Sequence, residues 1–439
     1  MRIALDHVLD RVGARAEGAD ALVRSESQLT LRFETGRLKE SALRRETGLS
    51  LRLVAGGRVG FAGTTDLGGN EALDDVVARA LTSAGQGEPC DLAWPAASRL
   101  EAVRTFDDAA AGLDVTALAA FGLRVVEQLA RDGWQVGASV DRYVEETTFA
   151  NTAGQTFAYR STAIGVSAEV TRVKGDDVLM ACDDVTAMAV PTGAELDAVV
   201  ARILTRMERG ERIMEPPEGK LPVLFTPSGS ACLFLPLRQA LSGKTVLQGV
   251  SPLGEKVGQP AFDAALDLVD DPLHPGRTAS RPADDEGVPS RRLPLVERGV
   301  VRAFVYDLET AARAGTASTG HGRRGTFGKP AIGFSNLAMR LGDADEAALL
   351  RAVGHGLVVE DLIGVGQGNV ISGAFSHPVA LAYRVDGGEI TGRVKDAAVA
   401  GNAFDLLKRI RMVGREGKWI GGSRLVPPIV LDAVSVARR

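Results

Sequence analysis

The sequence predicts an α+β protein, with an N-terminal α/β domain at residues 1–215 and a C-terminal, β-rich antiparallel domain at residues 216–439. Three observations predict it. Stretches of alternating apolar and polar residues are followed by helical periodicity, and that order occurs twice. The helix Leu73-Asp-Asp-Val-Val-Ala-Arg-Ala-Leu81 recurs as Leu196-Asp-Ala-Val-Val-Ala-Arg-Ile-Leu204, 123 residues later and identical at seven of nine positions. Beyond Glu215-Pro216-Pro217-Glu218-Gly219 the texture changes to dense glycines and short hairpins, and consecutive prolines cannot continue a helix.

Leu5, Val8, Leu9 and Val12 fall on one face of a short helix that Gly13 or Gly18 stops. Leu29, Leu31 and Phe33 alternate with Thr30, Arg32 and Glu34, as do Leu49, Leu51 and Leu53 with Ser50 and Arg52; this is the period of a strand. Gly56-Gly57 turns the chain into a strand from Arg58 to Ala62. Leu73, Val76, Val77, Ala80 and Leu81 form the stripe of the next helix. A second helix is expected over Val115 to Arg131, with Asp114 as N-cap and Gly133 as stop. Strands return at Phe157 to Tyr159 and at Ile164 to Val170, and a helix over Ala194 to Glu208 completes the second unit. In the C-terminal half, hairpins are expected over Pro294 to Tyr306, turning at Glu297-Arg298-Gly299, and over Leu381 to Val394, turning at Asp386-Gly387-Gly388. The clearest late helix is Asn402 to Arg411. Strands and helices are segregated, so no doubly wound parallel sheet is predicted.

The chain has 439 residues, with 51 Lys+Arg against 56 Asp+Glu and a net charge of −5, which argues against a broad nucleic-acid footprint. Cys90, Cys182 and Cys232 form no CxxC pair, so neither a disulfide framework nor a clustered zinc site is signalled, and a reducing, cytoplasmic compartment is expected. Asp6, Asp10 and Arg11 interrupt any N-terminal signal-peptide core, and no apolar run is long enough to span a membrane.

Chemistry is hard to find in the residues themselves. A helical zinc peptidase needs paired histidines, but the closest two of His7, His274, His321, His355 and His377 are 22 residues apart. Gly243-Lys244-Thr245 has the ending of a P-loop, but Arg238 stands where its first glycine belongs. Gly364-Val-Gly366-Gln-Gly368-Asn369 runs into strand-like Val370-Ile371-Ser372 rather than a helix, so it reads as a turn between strands. The loop Ser318-Thr-Gly-His-Gly-Arg-Arg-Gly-Thr-Phe-Gly328 either holds a carboxylate or phosphate, with His321 as a proton carrier, or is a solvated loop. Arg281-Pro-Ala-Asp-Asp-Glu-Gly-Val-Pro289 either offers acids to a metal or amine, or forms a polar turn. No serine sits in a GxSxG elbow.

Gly48-Leu-Ser-Leu-Arg-Leu-Val-Ala-Gly-Gly-Arg-Val-Gly-Phe-Ala62, Leu268-Val-Asp-Asp-Pro272, the Ser280 to Pro289 string, Ser318-Thr-Gly-His321 and Val399-Ala-Gly-Asn402, in that order, resemble the TldD/PmbA peptidase family, also called modulator of DNA gyrase. The resemblance spans nearly the whole chain. It implies an N-terminal α/β region, a β-rich C-terminal domain and a two-subunit assembly that degrades or trims peptides. In the TldD-like subunit a helical HExxxH motif and a downstream cysteine hold zinc. Here the matching helix is Ser230 to Leu241, with Phe234 and Gln239 at the histidine positions, Leu235 at the glutamate and Val413 at the cysteine. The sequence therefore resembles the metal-free PmbA/TldE-like subunit, with no cofactor of its own and zinc on a TldD-like partner. His321, Arg323, Arg324, Asp285 and Glu286 are the candidates for lining a chamber that holds an unfolded peptide. Two other readings stay open: a homodimeric peptide-binding pseudoenzyme, and a metal-independent hydrolase using His321 with Asp285 or Glu286.

Overall fold

The computed structural model describes residues 2–439, with side chains from residue 4 onward. The N-terminal half repeats one unit. Helix α1 (Arg2–Val12) leads into strands β1 (Gly18–Glu34), β2 (Arg37–Ala55) and β3 (Arg58–Thr64) and then helix α2 (Asn70–Ala84). After the short helix α3 (Asp108–Gly112), helix α4 (Val115–Leu129) leads into β4 (Trp134–Asn151), β5 (Thr156–Lys174) and β6 (Asp177–Ala187) and then helix α5 (Gly193–Arg209). The six strands form one antiparallel sheet in the order β3-β2-β1-β4-β5-β6, so the units meet back to back along β1 and β4. The two strand runs expected within β5 are one continuous strand, because its register with β4 is unbroken from Thr156 to Arg172.

Alternation assigns the two faces of this sheet. Ala19, Ala21, Val23, Leu29, Leu31 and Phe33 of β1 share one face. The first three pack under α1 and α2, and the last three under α4 and α5. Equivalent helix positions do equivalent work: Leu73, Val76, Val77 and Ala80 of α2, and Leu196, Val199, Val200 and Ile203 of α5, are all buried. Each such valine, leucine or isoleucine contributes about 1.5–3 kcal/mol by leaving water. Asp20, Leu22 and Arg24 point to the other face and are also buried, because the C-terminal half covers that part of it.

In the C-terminal half, strands His355–Leu362, Gly219–Phe225, Ile429–Arg438, Ala397–Asn402 and Ala374–Asp386 pair in that order. The first and last also pair with each other, so the five close into a ring. Val223, Phe225, Leu357, Val359, Val399 and Leu431 share a core with Leu233 and Leu237 of helix α6 (Ala231–Ala240). Leu224, Val358, Tyr383 and Val430, on the opposite faces of their strands, join the core under α4 and α5, so the two halves are fused by apolar packing. A second sheet of short strands contains Leu268–Asp270, Leu337–Met339 and Arg424–Val426.

The expected hairpins turn on left-handed residues: Gly56 and Gly57 at φ 58° and 67°, Arg298 and Gly299 at 49° and 75°, and Gly387 and Gly388 at 63° and 82°. The helix expected over Asn402 to Arg411 is only Ala403–Leu406, because Ile410–Val413 becomes a strand on Ile429–Arg438. Val370 to Ser372 is a turn rather than a strand. Among the helices that escaped the sequence reading are Leu308–Ala314 and Glu346–Val353, capped by Asp307 and Asp345.

Candidate functional site

Three of the acidic and basic candidates meet not in an open chamber but in a buried seam between the halves. Asp285 and Glu286 enter from the Ser280 to Pro289 loop and Arg324 from the glycine loop; all are nearly inaccessible to solvent. From the sheet come Asp20 and Arg24 of β1 and Arg52 of β2, whose side chains share the face away from the helices. Arg52 pairs with both Asp20 and Glu286, Arg324 with Asp20 at 2.8 Å, and Arg24 with Asp285 at 3.0 Å. The amide of Arg324 donates to Asp285 at 2.9 Å and that of Leu308 to Glu286 at 2.7 Å. Asp284 accepts from the amides of Glu286, Val288 and Gly322, which ties its own loop to the glycine loop.

Electrostatics separate these carboxylates. Burial works to raise Asp285, but the charges of Arg323, Arg24 and Arg281 outweigh it and hold its carboxyl far below the usual range. Burial pushes Glu286 up to about 8 against the pull of Arg52, with the nearby Asp284 adding to the rise. Arg281 is fully buried with all three guanidinium nitrogens unpartnered among the described residues, and burial draws it down to about 10. Such a network fixes how the halves meet. It offers a ligand no access.

His321 is also inside. Its ring is 1% exposed, its Nε2 lies 3.1 Å from Asp270 Oδ2, and Nδ1 is engaged by Thr319. The expectation that His321 works with Asp285 or Glu286 is therefore corrected: its partner is Asp270, both nitrogens are occupied, and no substrate reaches it in this conformation. Only Arg323, with a side chain 38% exposed, keeps access to solvent.

The four positions matched to zinc chemistry are not gathered into one pocket. Phe234 lines an apolar recess with Leu268, Leu337 and Val426. Leu235 lines a separate pocket with Gln367, Asn369, Ser376 and His377 beneath the Gly364 to Asn369 turn. Gln239 is exposed, and Val413 is buried in its strand. Five residues along a helix is a rotation of about 140°, so Phe234 and Gln239 look in different directions. Phe, Leu and Val offer zinc no lone pair, and a solvent-facing carboxamide does not replace imidazole, so this donor set does not fit the ion.

The open space lies between the halves. One groove of about 480 Å³ is lined by Arg202 and Arg206 of α5, Glu360, Arg277, Lys418 and Trp419. A second, of about 640 Å³, runs over the outer face of β4–β6 past Gly137, Ser139 and Ser167. Asp184, Ser228 and Lys418 line both, so the two are continuous. Between them Asp183 binds Arg202 at 2.7 Å and Lys418 at 2.6 Å; burial opposes its ionisation, but these cations and Arg206 hold it below the normal carboxylate range. Sequence reading missed this cluster and the Asp20–Arg24–Arg52 set. Only the second left a signal, the single charge of Asp20 inside the otherwise apolar run Ala19 to Val23.

The PmbA/TldA metallopeptidase C-terminal domain matches residues 218–438, and domain 1 of the same family matches 19–84. A metalloprotease of Methanocaldococcus jannaschii is 28% identical over 201 residues, covering 46% of this chain and 44% of that one. Against it and the Methanothermobacter thermautotrophicus metalloprotease, the match spans less than half the length of the relative. A metalloprotease PmbA homolog of Haemophilus influenzae is 24% identical over 428 residues, covering 94% and 91%. The crystal structure of TldE from Thermococcus kodakarensis has the same fold, with a TM-score of 0.90, 23% identity and coverage of 99% and 100%.

Proposed function

We propose, on the premise that the chain belongs to the PmbA/TldD metallopeptidase family, that it is the non-catalytic, TldE-like subunit of a two-subunit metalloprotease that degrades or trims peptides. The observation that carries this reading is the chemistry of Phe234, Leu235, Gln239 and Val413, which replaces every zinc-binding and proton-handling group of the TldD-like motif with a side chain unfit for the task. Zinc is accordingly assigned to a TldD-like partner, and no step of hydrolysis is routed through this chain.

What this chain contributes is a wall and a grip. The continuous groove between the halves, about 480 and 640 Å³ in its two parts, is the space that would take an extended peptide, and backbone hydrogen bonding to such a chain tolerates varied sequence. The buried ionic seam keeps that wall rigid. Three free cysteines, Cys90, Cys182 and Cys232, suit a subunit working in the reducing cytoplasm, and no helix among the described residues is long and apolar enough to cross a membrane.

The test is to mix the purified chain with a TldD-like subunit and measure assembly by sizing and cleavage of an unfolded peptide. A stoichiometric complex is expected, with cleavage that chelation abolishes and that needs the partner's zinc histidines. Chelator-resistant cleavage by this chain alone overturns the proposal, as does a self-sufficient homodimer that ignores the partner.

A further inference from the structure

The recess beside Phe234 has an uncompensated charge at its mouth. Its walls are Phe234 and Ala231 of α6, Leu268, Leu337, Leu425 and Val426, enclosing about 60 Å³. Arg424, half-buried, stands at its rim, and no hydrogen bond or ion pair to its guanidinium is found among the described residues. One turn along α6 from Phe234, Arg238 lies over the ring of Phe334 at 5.2 Å, with its Nε buried and unpartnered. Burial, and after it the charge of Arg424, work against Arg238 keeping its proton. The nearest acid, Asp270, is committed to His321 and the amide of Ser335. Arg238 feels the like charge of Arg424, eased in part by Asp270, so an anion that joins both cations at the edge of the apolar hollow is favoured.

The hollow narrows the choice of anion. A free phosphate or sulfate offers nothing to apolar walls, whereas a carboxylate attached to a short hydrocarbon side chain satisfies both features at once. Ser228 and Pro227 line both the recess and the long groove, so a chain lying in the groove can end here. The first turn of α6, whose N-cap Ser230 makes no side-chain cap bond, adds its positive end to the same field.

We propose that this recess is a receptor for the C-terminal residue of a peptide, with Arg424 and Arg238 holding the α-carboxylate and the apolar walls taking a small aliphatic side chain. It rests on the reading of the chain as a peptide-handling subunit and names which end of the peptide is gripped. Truncated products with free carboxylates are then better ligands than internal segments.

Binding to the full chain is measured by titration calorimetry with acetyl-Gly-Gly-Val as the free acid, the same peptide as its C-terminal amide, acetyl-Gly-Glu-Gly-amide, and inorganic phosphate. The free acid is expected to bind at least tenfold more tightly than the other three, and more weakly as salt is raised. Arg424→Gln is expected to remove that tenfold preference, and Arg238→Gln to reduce it. Arg424→Lys keeps the charge but not the fork, so it should lose affinity about threefold or more. Arg424 makes no hydrogen bond or ion pair among the described residues, so Arg424→Gln should leave the melting temperature unchanged, whereas Arg238→Gln also gives up its contact with the Phe334 ring. Equal binding of acid and amide overturns the proposal, as does preference for phosphate or the internal glutamate, or indifference to Arg424→Gln. Such a failure leaves assembly and chelator-sensitive cleavage with a TldD-like partner intact, whereas failure of those two tests would remove the underlying reading itself.

Discussion

Replacing Arg52 with methionine tests whether the buried ionic seam fastens the halves together. The guanidinium is 1% exposed, bridges Asp20 and Glu286, and lies over the Trp94 ring at 5.0 Å. Methionine preserves most of the volume and removes the charge. Stripping one partner from a buried pair costs about 3–5 kcal/mol, because the other charge is left unneutralised. Here each carboxylate keeps something: Asp20 retains Arg324 at 2.8 Å, and Glu286 retains the Leu308 amide at 2.7 Å and can take up a proton. The lower end, about 3 kcal/mol, is therefore expected. At roughly 1–2 °C per kcal/mol for a chain of this length, the melting temperature should drop by about 3–6 °C. Arg52 lowers the carboxyl of Glu286, so removing it raises that group further, and the deficit should stay level up to pH 8 and widen above about 8, where the parent has lost the proton and the variant keeps it. Circular-dichroism melts at several pH values measure both quantities. A variant melting within about 2 °C of the parent, or a deficit that shrinks with rising pH, would refute the reasoning.

Glu286→Gln isolates the other side of that linkage. Since the folded-state value is raised to about 8, the native protein holds this proton more tightly than the unfolded chain, so its contribution is full in acid and fades as pH rises towards 8. The parent's melting temperature should thus carry a downward slope from pH 5 to 9 that the variant lacks, and equal slopes would contradict the assignment. Thr192→Ala breaks the capping box with Glu195 at the start of α5 and should cost about 1 kcal/mol, with faster amide exchange in that first turn; unchanged exchange would count against the cap. Gly229→Ala would set a Cβ 2.2 Å from the carbonyl oxygen of Val359, forcing two backbones apart ahead of α6. A loss of about 1–3 kcal/mol and weaker binding of the free-acid peptide are expected, and a variant matching the parent in both would show that the helix start is not clamped.

Much of the N-terminal half could be read from the letters. The stripes of α2 and α5 and the alternating strands carried the right periods because those segments bury one face against a partner of fixed geometry. Gly-Gly and Arg-Gly pairs announced their turns because few residues tolerate positive φ. Boundaries failed where tertiary pairing competed with local preference, as at Ile410–Val413, which left a helical pattern to pair with Ile429–Arg438. The site was legible only as residue types. Asp285, Glu286, Arg324 and His321 stood out as unusual, but their spacing could not say whether they face water or each other.

By itself, the sequence determined the family, the α+β pattern and the absence of zinc-competent side chains at Phe234, Leu235 and Val413, because these depend on residue chemistry and short-range periodicity. Only the tertiary structure decided that the charged candidates seal a seam, that His321 belongs to Asp270, and that Arg424 lines the apolar recess beside Phe234. Those outcomes depend on approaches between segments distant in sequence, from 51 residues for His321 and Asp270 to 261 for Arg24 and Asp285, which meet at 3.0 Å. Burial then converts each such approach into a strong interaction or an unsatisfied charge, and no local pattern in the chain encodes which of the two results.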